Sequence, residues 1–248
     1  MRYVEGFDEG PGGWYGWISN AAGPKPLEIR DGCALSRSPW WIDYNHAPPG
    51  AGYLNLLYML NTGGRPGEHQ REVEGENRFV KGGYPTDFTN ACFSLRLKGE
   101  LEAKGAQLVL LCQAVQEGIC SGWLLTGQPF RVTPEWSEQS VSLEADPAQW
   151  TCLGSRHDRA DYYGVLPLER VLGEVNTDIL LVFTSPRRGP HGAFGWGPAP
   201  VAAGARLSGV AGPAARRVRA ARRGAHRFCL SRCAGGPPGV APSDRAAV

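Results

Sequence analysis

Two segments of the chain combine aromatic and charged side chains in patterns suited to ligand binding. The first, residues 36–53, reads SRSPWWIDYNHAPPGAGY. In it Trp41, Asp43, Tyr44 and His46 put aromatic rings beside hydrogen-bonding groups, on a strand that runs into a proline-rich loop. Sugars need both, because an apolar C–H face stacks on a ring while polar groups fix the hydroxyls. The segment predicts a ligand surface, against the alternative of core packing followed by a well-tied loop.

A strand at this position divides its side chains between two faces. Alternation places Trp40, Ile42 and Tyr44 on one face and Trp41 and Asp43 on the other. We therefore expect one of the two adjacent tryptophans to lie in the core.

The second segment, residues 150–163, reads WTCLGSRHDRADYY. Here Arg156, His157, Asp158 and Asp161 fall in a loop between a predicted strand and a predicted helix. Arginine binds carboxylate or sulfate groups through paired N–H donors. This loop is a second candidate part of the ligand surface, and the alternative is a solvated loop tied by local salt bridges.

The same residues leave an enzymatic alternative open. A histidine beside a carboxylate can act as a general base. A polysaccharide-active hydrolase or lyase could therefore use His157 with Asp158, or Asp43 with His46. A third alternative is a structural or protein-interaction domain with no small-molecule site. Cys152 has no partner placed by the sequence, so a nucleophilic role with His157 is disfavoured.

Motifs for cofactors are not found in the sequence. No GxGxxG or GxxxxGK[ST] phosphate loop occurs, and the five histidines never reach metal-ligand spacing. The seven cysteines are odd in number and scattered, which argues against a zinc cage or a disulfide framework. We predict no cofactor.

The composition changes at about residue 186. Of the 63 residues from 186 to 248, 45 are Ala, Gly, Pro or Arg, and 11 of these are Arg. The preceding body, residues 1–185, carries 15 basic and 23 acidic residues, so its net charge is about −8. Overall basicity therefore reflects the tail, and nucleic-acid binding is not predicted for the body.

Three interpretations of the tail stay open. The first is a phosphate-binding basic arm, the second a disordered solvated extension, and the third a segment translated out of frame from GC-rich DNA. Allowed codons for residues 205–228, read one base later, permit a sequence containing VRLDEVRI, which alternates like a strand. The frameshift is favoured, and the lack of Lys counts against the basic arm.

The body has the size of one domain, and its pattern is mainly β. We predict strands over residues 53–60, 90–98, 107–115, 122–127, 130–133, 136–143 and 177–184, and a helix over residues 167–175. The fold class is all-β: an antiparallel jelly-roll sandwich with one short helix and a disordered tail. With no run of 18 apolar residues and no signal-like start, the expectation is a cytoplasmic protein without a membrane span.

The layout resembles the galactose-binding-like jelly roll of many carbohydrate-binding modules, and is similar to uncharacterised bacterial proteins. The resemblance lies in FDEGPGGW (residues 7–14), DFTNACFSLRLKG (87–99), the QLVLLCQ strand and WSEQSVSL (136–143). It implies non-catalytic glycan binding, a structural calcium site that could include Asp8 and Glu9, and a last strand like xLDEVxI. In the present frame that strand would be missing, leaving an open edge or an empty slot.

Overall fold

The computed structural model describes residues 1–19, 23–37, 40, 42–43, 53–63, 73–101, 103, 105–156, 158–184 and 228–232. In chain order, the elements are β1 (Tyr3–Glu5), β2 (Trp14–Ser19), β3 (Gly23–Lys25), β4 (Glu28–Arg30), β5 (Cys33–Leu35), β6 (Ile42–Asp43), β7 (Leu54–Asn61), α1 (Arg78–Lys81), β8 (Ala91–Leu97), β9 (Gln107–Gln116), β10 (Ile119–Leu124), β11 (Ser137–Ser142), a 3₁₀ turn (Pro147–Gln149), β12 (Thr151–Cys152), α2 (Leu168–Gly173), β13 (Asp178–Thr184) and β14 (Phe228–Arg232).

The strands form two antiparallel sheets and a separate β4–β5 hairpin. The smaller sheet has the order β1-β14-β8-β11, and the larger has the order β12-β10-β9-β13-β7-β2-β3, with β6 also pairing with β7. Strands that are remote in sequence lie side by side, as β13 does between β9 and β7. This interleaved arrangement confirms the predicted antiparallel jelly-roll β-sandwich.

The main core lies between the two sheets. In β8 the side chains of Ala91, Phe93 and Leu95 are buried, while the intervening Ser94 and Arg96 are partly exposed. The Phe93 ring meets the Phe130 ring edge-on, at a centroid distance of 6.1 Å. The predicted alternation over residues 90–98 is thus confirmed, and it marks which face of the smaller sheet is inward.

The larger sheet is buried on both faces. Leu108 and Leu110 of β9 belong to the core between the sheets, whereas Val109 and Leu111 belong to a second apolar cluster on the opposite face. All seven residues of β13 are buried. The central place of β9 and β13 in the larger sheet explains their continuous apolar runs, because a strand that is covered on both faces has no solvent-exposed side for polar residues.

A β-bulge in β7 sets which side chains reach each face of that strand. Leu181 pairs with Tyr58 and Val182 pairs with Leu56, so Leu57 is the extra residue. Bulged strands bend locally and change the phase of alternation. As a result Leu56 lies on the outer face and Leu57 lies in the inter-sheet core.

The structure corrects the predicted strands around residues 119–133. β10 begins at Ile119, earlier than predicted, because the two-residue turn Glu117-Gly118 connects it directly to β9. Both turn residues have positive φ, 54° and 81°, as a tight hairpin of this type requires. Phe130 contributes a single bridge to Leu108, so residues 130–133 are not a strand.

Helix α2 confirms the predicted helix within residues 167–175. It begins after Pro167 and buries Leu168, Val171 and Leu172. Helix α1 is one turn that was not predicted, and Asn77 caps it by accepting a hydrogen bond from the Val80 N–H.

A segment of the tail fills the slot that the resemblance predicts for a last strand. β14 pairs with β1 on one side and with β8 on the other, Leu230 lying opposite both Tyr3 and Phe93. The slot is therefore occupied, contrary to the expectation of an empty one. Residues 185–227 and 233–248 lie outside the described residues.

A buried ion pair holds the N-terminal segment to α1. The Glu5 carboxylate, 2% exposed, accepts hydrogen bonds from Arg78 Nε at 3.0 Å and Arg78 Nη2 at 2.7 Å. Tyr3 Oη and the Phe7 N–H donate to the same carboxylate. Gly12, at φ 64°, passes so close that a Cβ there would collide with it. We call this group the Glu5 clasp.

Arg78→Ala should destabilise the fold strongly, because it leaves the Glu5 carboxylate buried without its cation. The expected loss in the free energy of unfolding is about 3–5 kcal/mol, measured by urea denaturation. The matched control is Arg170→Ala, which breaks the exposed Arg170–Glu117 pair and should cost less than about 1 kcal/mol. Equal losses in the free energy of unfolding for the two variants would show that the Glu5 clasp stabilises the fold no more than an exposed ion pair does.

Leu230→Pro should weaken the smaller sheet, because β14 has a partner on each side and proline removes a backbone donor. The expected loss exceeds about 1 kcal/mol, the net value of one hydrogen bond. Leu230→Ile keeps the donor and serves as the control. Identical urea midpoints for the two variants would show that β14 contributes nothing to the sheet.

Candidate functional site

The first predicted segment reaches the edge of the larger sheet at β6. Trp40 packs on Phe183 with a ring-centroid distance of 5.4 Å, and its indole N–H donates to Ser36 Oγ at 2.8 Å. Trp40 therefore packs against the core, where one of the two tryptophans was expected to lie. Asp43 lies opposite Leu54 and is only 5% exposed. Trp41, Tyr44 and His46 lie outside the described residues.

The second predicted segment is organised by Arg156. Its guanidinium donates from Nε to Asp158 Oδ1 at 2.9 Å and from Nη2 to Asp158 Oδ2 at 2.7 Å. It also lies over the Tyr163 ring, 4.7 Å from the centroid. A planar cation held by a carboxylate and an aromatic face is fixed in orientation. His157 lies outside the described residues, and Asp161 is exposed, with no hydrogen bond or ion pair in the described part of the chain.

Asp43, from the first segment, acts on the charge of Arg156 in the second. Burial acts to lower the pKa of Arg156, but the hydrogen bonds to Asp158 and the charge of Asp43 outweigh it, so the pKa is raised. A charge has this influence only at short range in a screened medium. We therefore group Asp43 with Arg156 in one candidate site, although the two residues are remote in sequence.

A second arginine and tyrosine extend this site along the loop. The Tyr162 and Tyr163 rings meet edge-to-face at 4.9 Å, and Arg159 lies 4.7 Å from the Tyr162 centroid. The loop is anchored to β10, since the Cys120 N–H donates to the Tyr162 carbonyl and Gly164 N–H donates to the Cys120 carbonyl. We refer to Asp43, Arg156, Asp158, Tyr162 and Tyr163 as the Arg156 site.

A buried carboxyl that the sequence analysis did not single out lies on the outer face of the larger sheet. Asp178 is the first residue of β13, lies opposite Asn61 of β7 and Gln113 of β9, and is 7% exposed. Its Oδ1 atom has no hydrogen-bond partner. Burial raises the pKa of Asp178 to about 7. The available signal was an acid inside the apolar run TDILLVFT, where any charged group must be desolvated.

The metal and nucleophile hypotheses find no support in the described residues. No group of three or more His, Cys, Asp or Glu side chains in that part of the chain could hold a metal ion. At the suggested calcium position, Glu9 Oε2 lies 3.4 Å from the Arg78 guanidinium. Burial raises the pKa of the Cys152 thiol, which disfavours the thiolate needed for attack.

Three further tryptophans differ in their surroundings. Trp14 is 1% exposed, and Trp123 packs on the core while its indole N–H donates to the Leu166 carbonyl. Trp136 is partly exposed, with Arg96 and Lys98 at 5.4 and 4.9 Å from its ring.

No helix among the described residues has the length and apolar character to cross a membrane. Comparison with protein families, curated proteins and solved structures finds no match to the chain.

The stability of the protein should depend on the ionisation of Asp178. Unfolded aspartate has a pKa of about 3.9, so between about pH 4 and pH 7 the folded state keeps a proton that the unfolded state has released. The free energy of unfolding therefore falls as pH rises through this window, by up to about 4 kcal/mol, and levels off above it.

Asp178→Asn removes this dependence, so the variant should match the wild type near pH 4 and be more stable near pH 8. Urea denaturation across the pH range measures the difference. Asp161→Asn, at an exposed position, is the matched control and should leave the profile unchanged. If the free energies of unfolding of wild type and Asp178→Asn differ by the same amount at every pH, the pKa of Asp178 is not raised by burial.

Proposed function

We propose that this protein is a non-catalytic β-sandwich that binds a glycan at the Arg156 site. The observation that carries the proposal is the Arg156 guanidinium, which is held by both carboxylate oxygens of Asp158 and by the Tyr163 ring, next to a second tyrosine. Asp43 comes from the edge strand β6 and Arg156 from the loop after β12, yet the charge of one acts on the other.

The chemistry of the site suits a polyhydroxylated ligand. The Tyr162 and Tyr163 rings are partly exposed and offer apolar contact for C–H groups, and the Asp158 carboxylate, whose side chain is 40% exposed, accepts hydrogen bonds from hydroxyls. The guanidinium of Arg156 donates in return. Because Arg156 is already held by Asp158 and Tyr163, little side-chain entropy is lost on binding.

The arrangement favours binding over the hydrolase or lyase alternative. Both carboxylate oxygens of Asp158 accept hydrogen bonds from Arg156. A catalytic acid needs a raised pKa, and a base must reach the substrate proton, whereas this carboxylate is engaged by a permanent cation. Asp158 is therefore suited to orienting Arg156 and accepting hydroxyl donors.

A glycan array followed by titration calorimetry tests the proposal. Wild-type protein should bind at least one class of glycan, and Trp41→Ala should weaken that binding. Tyr163→Leu should weaken it about tenfold, as expected for the loss of about 1.4 kcal/mol of ring contact. Trp136→Leu is the matched control, because it removes another ring in contact with cations on the opposite sheet.

Circular dichroism should show that all three aromatic variants keep the fold. Retained binding in Trp136→Leu together with loss in Tyr163→Leu locates the ligand. A chain that binds no glycan on a broad array overturns the proposal, and turnover of a bound glycan would move the protein to the enzymatic class.

A further inference from the structure

The Oδ1 atom of Asp178 accepts no hydrogen bond, although two residues with amide N–H groups, Asn61 and Gln113, lie on the neighbouring strands. Asn61 lies directly opposite, but its Oδ1 atom accepts a hydrogen bond from the Gly63 N–H, which fixes the amide there. Gln113 lies opposite Asp178 on the other neighbouring strand. Its side chain packs against Gly122 of β10, with Nε2 3.1 Å from the position that a Cβ on Gly122 would occupy. Neither amide donates to Asp178 in the structure, and Asp178 Oδ1 has no other partner.

An unsatisfied buried carboxyl is unusual and costly. The great majority of buried side-chain polar atoms in proteins are hydrogen-bonded, because desolvation without a partner costs free energy. Both flanking strands place amide side chains here, so a donor could have come from the protein itself. The missing donor therefore points to a group supplied from outside the chain.

Strand pairing places Asp178 near the tyrosines of the Arg156 site. Asp178 lies opposite Gln113 of β9 and Gln113 lies opposite Gly122 of β10, while Cys120, two residues from Gly122, forms a bridge to Tyr163. Burial, and after it several neighbouring charges that include Asp178, raise the pKa of Tyr163 to about 12. Burial and Cys120, and then Asp178, likewise raise the pKa of Tyr162. Tyr163 is also the ring under Arg156. The two tyrosines thus lie within reach of Asp178, and Tyr163 within reach of Arg156 as well.

We propose that Asp178 binds the ammonium group of an amino sugar within a glycan held at the Arg156 site. This rests on the proposed function and names the class of sugar. An ammonium group supplies several N–H donors and a positive charge, whereas a neutral hydroxyl supplies one donor and leaves a buried negative charge uncompensated. A free amine is therefore the best match to an unpaired buried carboxylate.

The pH dependence of binding follows from the groups that face Asp178. These are Asn61 on β7, Gln113 on β9, Cys120 on β10 and the two tyrosines of the loop, and Cys112 of β9 lies near Asp178 on the other face of the sheet. Burial raises the pKa of Cys120 to about 12 and that of Cys112 further, so both thiols stay neutral near pH 7. Asp178 is then the one member of this set that ionises around neutrality.

The test compares oligomers of glucosamine with N-acetylated oligomers of equal length, by titration calorimetry at pH 5.5 and pH 7. Wild type should prefer the free-amine oligomer at pH 7, by about tenfold, and this preference should shrink by roughly tenfold at pH 5.5 as Asp178 becomes protonated. Acetylation removes the charge and keeps the ring, so it isolates the contribution of the amine.

Asp178→Asn should abolish the preference and its pH dependence while binding to other glycans persists. Asp31→Asn, at an exposed position in the turn between β4 and β5, is the control and should keep both. Glycan binding that is weakened by Tyr163→Leu but indifferent to acetylation and to Asp178→Asn overturns this inference alone. Absence of binding to every glycan overturns the proposed function as well, so the two failures are distinguishable.

Discussion

The central strands of the larger sheet are covered by side chains on both faces, and this two-sided burial governs the rest of the structure. It supplies the apolar clusters on either side of β9 and β13. It also determines that a charged side chain on these strands must find a partner or lose its charge. Asp178 is the member of this group that has neither polar partner nor solvent, and its chemistry is a direct result of its place in the sheet.

The local hydrophobic pattern predicted two kinds of strand: those whose side chains alternate between buried and exposed, and those that are buried continuously. The alternation around Phe93 and the apolar run through Leu110 each correspond to an observed strand. Pattern failed where a turn or a distant partner decides the outcome. The start of β10 depends on the Glu117-Gly118 turn, and β14 is a strand because β1 and β8 offer it backbone partners. Neither is visible in the hydrophobic period of the segment itself.

The candidate site was predictable in its residue types but not in its connections. Arg156, Asp158 and Asp43 were found from composition alone, yet their association depends on β6 and the loop after β12 reaching the same region. The sequence does not single out Tyr163, because its role depends on the position of the guanidinium above its ring. Glu5 and Arg78 were missed for the same reason, since their contact joins the first strand to a helix that no local pattern indicated.

The position of β14 has a consequence for the order of events during synthesis. β1 is among the first residues to leave the ribosome, but the strand that lies beside it in the sheet is Phe228–Arg232. The larger sheet, whose strands all precede residue 185, can assemble before that segment emerges. During the interval the Glu5–Arg78 ion pair, together with the contacts of the Tyr3 ring with Phe79 and Tyr84, can hold β1 near its final place. An interaction that looks like a detail of the N-terminus is thus also a means of keeping an unpaired strand from other chains.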